Sequence, residues 1–254
     1  MFESHRKTIE NLKRHFEKNE DYLALIVNGS VARGDALEGS DVDYYLVVEH
    51  KGYEEALNKN AHGVEANEFC VPPCPEANGF LTSKAMLRAI CEQGNEIARW
   101  AFFQARIVFS KDEDIDKLVK IIPQYPEQGR IRRMESYHSQ IYYHFSFFEF
   151  ACYSQTKYLI YETATKMILS IGRLILADNH ILYPNRKWFY RELAKASDKP
   201  EGICETMIAF LNQPTIDTAK EVLQKVQRHK AYPVPPEGMK ARIAKESLLN
   251  LEEW

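Results

Sequence analysis

Residues 28–48 contain the residue types and spacing with the clearest chemical meaning in the chain. A Gly29-Ser30 turn follows an apolar run at residues 22–27, which predicts a buried strand. Glycine allows a backbone to approach a ligand closely, and Ser30 is placed to cap a short helix starting at Val31. Because unpaired N–H groups at a helix start favour anions, the turn predicts a phosphate site.

Two carboxylates, Asp41 and Asp43, follow Ser30 after a spacer of ten residues and lead into the apolar run at residues 44–48. Side chains two residues apart on a strand point to the same face, so the two acids should project together. Their mutual repulsion is relieved by a divalent cation, and oxygen-only ligands favour Mg²⁺ or Mn²⁺. The sequence therefore predicts a metal site at Asp41 and Asp43.

This window resembles the polymerase-beta-like nucleotidyltransferase superfamily, whose signature is a Gly-Ser turn, a spacer and Asp-x-Asp on a strand. The signature residues stand here as Gly29, Ser30, Asp41 and Asp43. The pattern Gly-Ser-x-x-Arg-Gly followed by Ser-Asp-x-Asp is similar to antibiotic nucleotidyltransferases and to the minimal nucleotidyltransferases of bacterial toxin–antitoxin pairs. The motif resemblance extends over residues 22–71.

The resemblance implies an enzyme that transfers a nucleoside monophosphate to a hydroxyl and releases pyrophosphate, with ATP or another nucleoside triphosphate as donor. Asp41 and Asp43 would be catalytic and would hold Mg²⁺ or Mn²⁺. Gly29 and Ser30 would bind the terminal phosphates of the nucleotide. Arg33 would add a charge-assisted contact to the nucleotide.

The superfamily uses a third carboxylate on a neighbouring strand, and two glutamates compete for that position. Glu68 is followed by an apolar triplet and a proline, which fits a strand that carries its acid early. Glu65 lies between Val64 and Ala66 and also fits. A regular strand cannot direct both inward, because their separation is odd. We select Glu68 as the third catalytic residue and keep Glu65 as the alternative.

Composition and charge argue against certain classes of binding partner and indicate the state of the cysteines. Charged residues make up 27% of the 254 residues, the net charge is −3, and no block of like charge occurs, which argues against a nucleic-acid partner. The N-terminus lacks the apolar core of a signal peptide, and no run of eighteen apolar residues occurs, so we expect a cytoplasmic protein without a membrane partner. Five cysteines without disulfide or zinc spacing suggest reduced thiols. The oligomeric state stays open.

The element pattern predicts an α+β protein of two domains. The first, at residues 1–122, is a nucleotidyltransferase domain with a small mixed sheet, and the second, at residues 130–254, is an all-α helical bundle. In the first domain we predict helices at 3–19, from 82 or 83 to about 100 and at 112–122, with strands at 22–27, 41–48, 68–71 and 105–109. In the second domain we predict helices at 131–152, 155–178, 187–196, 201–211, 215–229 and 237–250.

Three functions fit these features. The favoured one is a Mg²⁺-dependent transferase that adenylylates a small hydroxyl-bearing molecule such as an aminoglycoside or lincosamide, because antibiotic nucleotidyltransferases resemble this chain in having a helical second domain. The alternatives are a protein-modifying, antitoxin-type nucleotidyltransferase and a non-catalytic nucleotide-binding regulator. In the helical domain, His138, His144 and Glu149 are candidates for acceptor binding. The sequence identifies neither the acceptor nor the preferred base.

Overall fold

The computed structural model describes residues 1–249. Its chain divides into two units, one from Met1 to Gln124 and one that begins at Tyr125. The first unit contains a mixed sheet with helices, while the described part of the second unit contains helices and no strand. The predicted α+β class is therefore confirmed. The predicted domain limits, 1–122 and 130–254, stay a prediction.

The first unit contains five strands and six α-helices. The strands are β1 Tyr22–Val27, β2 Val42–Val48, β3 Gly63–Glu65, β4 Ala77–Ser83 and β5 Arg106–Ser110. The helices are α1 Glu3–Phe16, α2 Gly29–Arg33, α3 His50–Asn58, α4 Lys84–Gln93, α5 Glu96–Ala101 and α6 Glu113–Ile121, with a 3₁₀ helix at Asn67–Phe69.

The five strands form one sheet in the order β3-β4-β2-β1-β5. β2 and β4 run parallel, and the other neighbouring pairs are antiparallel. Successive residues of β2 point to opposite faces. Tyr44 lies in an apolar cluster with Leu12 and Phe16 of α1. Tyr45 packs against a second cluster, which contains Leu87 of α4 and residues of α6. The sheet thus has helices on both faces, which bury its central strands.

Two predictions in this unit are wrong. The strand expected at residues 68–71 does not form, and β4 occupies a segment for which the sequence predicts no strand, because its Asn78-Gly79 pair has the composition of a turn. Position 79 of this strand requires glycine, because a Cβ there would lie 2.2 Å from the Tyr44 ring. The helix expected from residue 82 or 83 to about 100 is two helices. Ser83 caps the first, and the Asn95 side chain accepts from Ala98 N at 2.9 Å to start the second.

The second unit has six α-helices in its described residues. They are α7 Arg130–Tyr153, α8 Lys157–Asp178, α9 Phe189–Lys195, α10 Ile203–Asn212, α11 Ile216–His229 and α12 Met239–Leu249, with a 3₁₀ helix at Arg186–Trp188. The predicted helices are confirmed to within a few residues, and the predicted end of the last one, residue 250, lies outside the described part. α7 and α8 bury aromatic and aliphatic side chains in one cluster. No helix within residues 1–249 has the length and apolar character to cross a membrane.

Candidate active site

The turn after β1 leads directly into α2, a helix of five residues. Asn28 precedes the helix in extended conformation, and its side chain makes no capping hydrogen bond. Gly29 is the first helical residue, with φ at +67°. Ser30 therefore lies inside the helix, and its predicted role as cap is wrong. Its carbonyl instead accepts from Asp35 N at 3.1 Å, which closes the other end of α2.

Gly29 lies directly against the carboxylate of Asp43. A Cβ on Gly29 would stand 2.0 Å from Asp43 Oδ2, closer than any side chain allows. The backbones of the two segments also meet, since Asn28 N donates to Asp43 O at 3.0 Å. Glycine is needed here both for the positive φ and for the space. The structure thus brings the predicted phosphate turn and one predicted metal ligand into a single site.

Asp43 lies on β2, and Asp41 is the residue just before that strand. Both are half-buried. Asp43 belongs to the sheet face of Tyr45, whose ring stacks on Phe102 with centroids 5.1 Å apart. Burial raises the pKa of Tyr45, and the negative charge of Asp43 adds to the rise. The carboxylate therefore acts electrostatically on this face of the sheet.

On β4, the strand that pairs with β2, the residue opposite Asp43 is Asn78. The parallel register pairs Asp43 with Asn78, so both residues belong to the same face. Asn78 Nδ2 donates to Glu76 Oε2 at 3.1 Å, which places the Glu76 carboxylate on that face as well. On the far side of β4, Glu65 of β3 pairs with Asn78. Asn78 thus lies among three acids, which are Asp43 of β2, Glu65 of β3 and Glu76 just before β4.

Sequence reasoning missed Asn78 and Glu76. Both residues fall in a segment for which the sequence predicts no strand, and the signal that relates them to the Asp-x-Asp strand is a parallel register. Val42 N donates to Glu76 O at 3.0 Å, so Glu76 is level with Asp41, the residue before β2. Such a register joins residues about 35 positions apart, and a local pattern does not contain it.

Glu68 is not on a strand. It lies in the 3₁₀ helix Asn67–Phe69 and is exposed. Asn11 of α1 donates to Phe69 O at 3.1 Å, so this short helix lies on the α1 side of the sheet. Burial raises the pKa of Tyr44, and the charge of Glu68 contributes to that rise. Since Tyr44 and Asp43 point to opposite faces, the structure does not bring Glu68 together with Asp43.

Arg33 is held by neighbours within its own unit. Its side chain is 5% exposed, and its guanidinium carbon lies 4.4 Å from the centroid of the Trp100 ring. Arg33 Nε also donates to Asp35 Oδ2 at 3.3 Å. These contacts fasten the end of α2 to α5. The predicted contact of Arg33 with a nucleotide stays a prediction.

The three candidates for acceptor binding in α7 differ in burial and in their neighbours. His144 is buried, which lowers its pKa to about 4, so the imidazole is neutral near pH 7. His138 Nδ1 lies 2.9 Å from Pro233 O, and burial lowers the pKa of this ring as well. Glu149 is half-buried beside Cys152, whose thiol pKa is raised by burial and then by Glu149. The two histidines thus pack within their own unit, and acceptor binding by any of the three side chains stays a prediction.

The oxygen donors of the first unit fit a hard cation. Asp43 on β2 and Asp41 just before it provide two carboxylates, and Mg²⁺ commonly takes one or two protein carboxylates and completes its shell with water and substrate phosphates. Within residues 1–249, no three His, Cys, Asp or Glu side chains converge as a metal-binding group. The donor set therefore suits a cation that arrives with a nucleotide.

One segment of the chain is similar to a known protein family. Residues 6–74 match the family model of a nucleotidyltransferase domain. The matched stretch carries the general nucleotidyltransferase pattern, and it contains the turn, Asp41 and Asp43. It ends before β4 begins at Ala77, so it does not extend to Asn78. The match is to the general domain and does not distinguish antibiotic-modifying members.

Similarity to known proteins over the full length of the chain is weaker than the similarity of residues 6–74 to the family model. No curated protein matches the chain. Solved structures that match include a nucleotidyltransferase-like protein from Exiguobacterium sibiricum 255-15, at 11% sequence identity and a TM-score of 0.48. That match covers 96% of this chain and 87% of the other.

Proposed function

We propose that this protein is a nucleotidyltransferase that moves a nucleoside monophosphate, AMP from ATP, onto a hydroxyl of a small molecule such as an aminoglycoside or lincosamide. The observation that carries the proposal is the contact between Gly29 and the Asp43 carboxylate. It joins a turn suited to phosphate with acids suited to a divalent cation. The domain match over residues 6–74 supports the general reaction.

In the proposed reaction, the residues of the first unit bind and orient the nucleotide. The backbone at Gly29 and Ser30 holds the terminal phosphates, while Asp41 and Asp43 hold Mg²⁺ or Mn²⁺. The cation, when bound, neutralises charge on the phosphates. The acceptor hydroxyl attacks the α-phosphorus, the bond from that phosphorus to the bridging oxygen breaks, and pyrophosphate leaves with the bonding electrons.

The hydroxyl proton requires an acceptor, and we assign this role to Glu76 in place of Glu68. Glu76 shares the sheet face of Asp43, and its carboxylate is fixed by the hydrogen bond from Asn78. Glu68 lies on the opposite, α1 side. A positioned carboxylate within reach of a hydroxyl is the usual requirement for a general base. Glu65 lies on the edge strand β3, where it pairs with Asn78 and is one strand farther from Asp43.

One observation favours a second function, non-catalytic nucleotide binding. The side chain level with Asp43 on the neighbouring strand is Asn78, an amide that brings no negative charge to a cation. In a regulator of this kind, Asp41 and Asp43 would bind a cation with its nucleotide, and no transfer would follow.

Incubation of the protein with Mg²⁺ and each α-labelled nucleoside triphosphate separates the two functions. The acceptors are a panel of aminoglycosides, a panel of lincosamides, and a cell extract. Label on a small molecule supports the transferase, whereas label on a protein indicates the antitoxin-type alternative. Nucleotide binding without transfer to any acceptor favours the regulator.

Asp43→Asn should reduce transfer by at least about 100-fold, because removal of a metal-binding carboxylate costs several kcal/mol of transition-state stabilisation. Circular dichroism should show an intact fold. Asp21→Asn is the matched control, since Asp21 is an exposed acid of the same unit. Equal activity in Asp43→Asn and Asp21→Asn would exclude Asp43 as a metal ligand.

A further inference from the structure

We propose that Cys70 and Cys74 form a reversible disulfide, and that this pair is a modification site for small disulfide oxidants such as glutathione disulfide. The two residues lie four positions apart in the segment between the 3₁₀ helix and β4. Both pack in the apolar cluster on the α1 side of the sheet. The site is independent of nucleotide transfer, because its chemistry needs only the two thiols and the oxidant.

The backbone of this segment is folded so that the two cysteines approach each other. Cys74 N donates to Val71 O at 3.0 Å, which makes a turn between them, and Cys70 N donates to Asn67 O at 3.0 Å. Val71 N is fixed in turn by Thr8 Oγ1 of α1 at 2.9 Å. Hydrogen bonds therefore fix the backbone at both ends of the turn. The two thiols can approach each other without the movement of a flexible loop.

The two thiols are side-chain neighbours. Burial raises the pKa of the Cys70 thiol to about 12, and the largest contributions after burial come from Cys74, by charge and by hydrogen bonding. Cys74 is 4% exposed, and its Sγ–H donates to Glu76 O at 3.5 Å. Cys70 is the more accessible of the two. The accessible Cys70 is thus the sulfur that meets an external oxidant, and the buried Cys74 is the one that completes the bridge.

The reaction has two exchange steps. The Cys70 thiolate attacks one sulfur of glutathione disulfide, which forms a mixed disulfide and releases one glutathione thiolate. The Cys74 thiolate then attacks the sulfur of Cys70, closes the Cys70–Cys74 bond and releases the second glutathione. Two protein thiols lose two protons and two electrons in total, and one glutathione disulfide becomes two glutathione molecules. Because thiolates attack, the high pKa of Cys70 makes the reaction slow near neutral pH and faster as pH rises.

The chain offers an internal test of selectivity. Three further cysteines, Cys91, Cys152 and Cys204, are each half-buried, and within residues 1–249 all five are free thiols. Trypsin releases residues 60–84 as one peptide, because the sequence has no Lys or Arg between Lys59 and Lys84. That peptide contains Cys70 and Cys74 and no other cysteine. A bridge within the pair is therefore distinguishable by mass from every other product.

The experiment treats the native full-length protein with glutathione disulfide, quenches with acid, alkylates the remaining thiols and maps the tryptic peptides by mass spectrometry. We expect the peptide 60–84 to lose two hydrogens and to take no alkyl label, while Cys91, Cys152 and Cys204 stay labelled. Dithiothreitol should restore both labels without denaturant. The rate of bridge formation should increase between neutral and alkaline pH.

Two variants test the order of attack. With Cys74→Ala, glutathione should remain attached to Cys70, because the resolving thiol is gone. The matched control Cys91→Ala should form the Cys70–Cys74 bridge as the natural protein does. The proposal is overturned if the natural protein retains glutathione on Cys70, if both thiols stay free, or if the bridge appears only in denaturant. Because these outcomes are read from the natural protein, they hold even where a variant fails to fold.

Discussion

β2 and β4 lie side by side in parallel register and carry different polar groups at the same level. Asp43 on β2 is level with Asn78 on β4, and Asp41 is level with Glu76. Negative charge is concentrated at the start of β2, because Asp41 and Asp43 are separated only by Val42. On β4 an amide replaces one acid and hydrogen bonds to the other. The difference suggests a division of roles, with cation binding on β2 and proton transfer on β4.

The largest effect on the β2 side should come from Gly29→Ala. The new Cβ would stand 2.0 Å from Asp43 Oδ2, and φ at +67° adds strain for any side chain. We expect a loss of about 2–4 kcal/mol in the free energy of unfolding, measured with urea, and no detectable nucleotide transfer.

Gly34→Ala is the matched control for that substitution. Gly34 also has a positive φ, +80°, but a Cβ there would meet nothing within 4 Å. The control should lose only about 1–2 kcal/mol from backbone strain and should keep its nucleotide binding. An equal loss in both variants would mean that the contact with Asp43 has no energetic importance.

This contrast also explains why one half of the site was predictable. The turn and the two acids lie within a continuous window of residues 28–48, and strand alternation alone gives their shared face. Asp43 meets Gly29 because β1 and β2 are neighbours in sequence and pair directly. Local pattern and tertiary contact therefore agree in this window.

The other half depends on contacts that a local pattern does not contain. The apolar run Phe69-Cys70-Val71 suggested a strand, but Phe69 instead packs beside His15 of α1, with ring centroids 4.5 Å apart. β4 was missed because its Asn78-Gly79 pair has the composition of a turn, while Gly79 is there to admit the Tyr44 ring. Each error came from a tertiary neighbour that overrode local propensity.

The proposed role of β4 is tested most strongly by Glu76→Gln. If Glu76 accepts the hydroxyl proton, its loss should reduce kcat by about 100-fold with little change in nucleotide affinity. The amide keeps the size of the side chain, so the fold should be retained. The measurement is the rate of label transfer together with calorimetric titration of the nucleotide.

Glu68→Gln and Glu65→Gln complete the test of the third carboxylate. Glu68→Gln should behave like the natural protein, because Glu68 lies on the α1 side of the sheet. If Glu68→Gln loses activity and Glu76→Gln does not, Glu68 is the third catalytic carboxylate and the assignment to Glu76 fails. A loss confined to Glu65→Gln would place proton transfer on β3.

Asn78→Asp would remove the contrast between the two strands by giving β4 its own acid at the level of Asp43. The added charge should tighten Mn²⁺ binding about tenfold, or about 1.4 kcal/mol, as measured by calorimetry. The cation-free protein should be slightly less stable, because the hydrogen bond to Glu76 is replaced by repulsion. Asn95→Asp is the matched control, since it adds the same charge at a helix cap. Equal tightening in both variants would indicate a general charge effect.

The smallest effect should come from Arg33→Lys, which asks whether this cation supports α2 or contacts the nucleotide. Lysine lacks the planar guanidinium that lies over Trp100 at 4.4 Å and donates to Asp35. We expect a loss of about 1 kcal/mol in unfolding free energy and an almost unchanged nucleotide affinity. Arg88→Lys, at an exposed arginine of α4, should change neither quantity. Unchanged stability with clearly weakened nucleotide binding would contradict the packing role and assign Arg33 to the β2 side of the site, where it would add a positive charge beside the two acids.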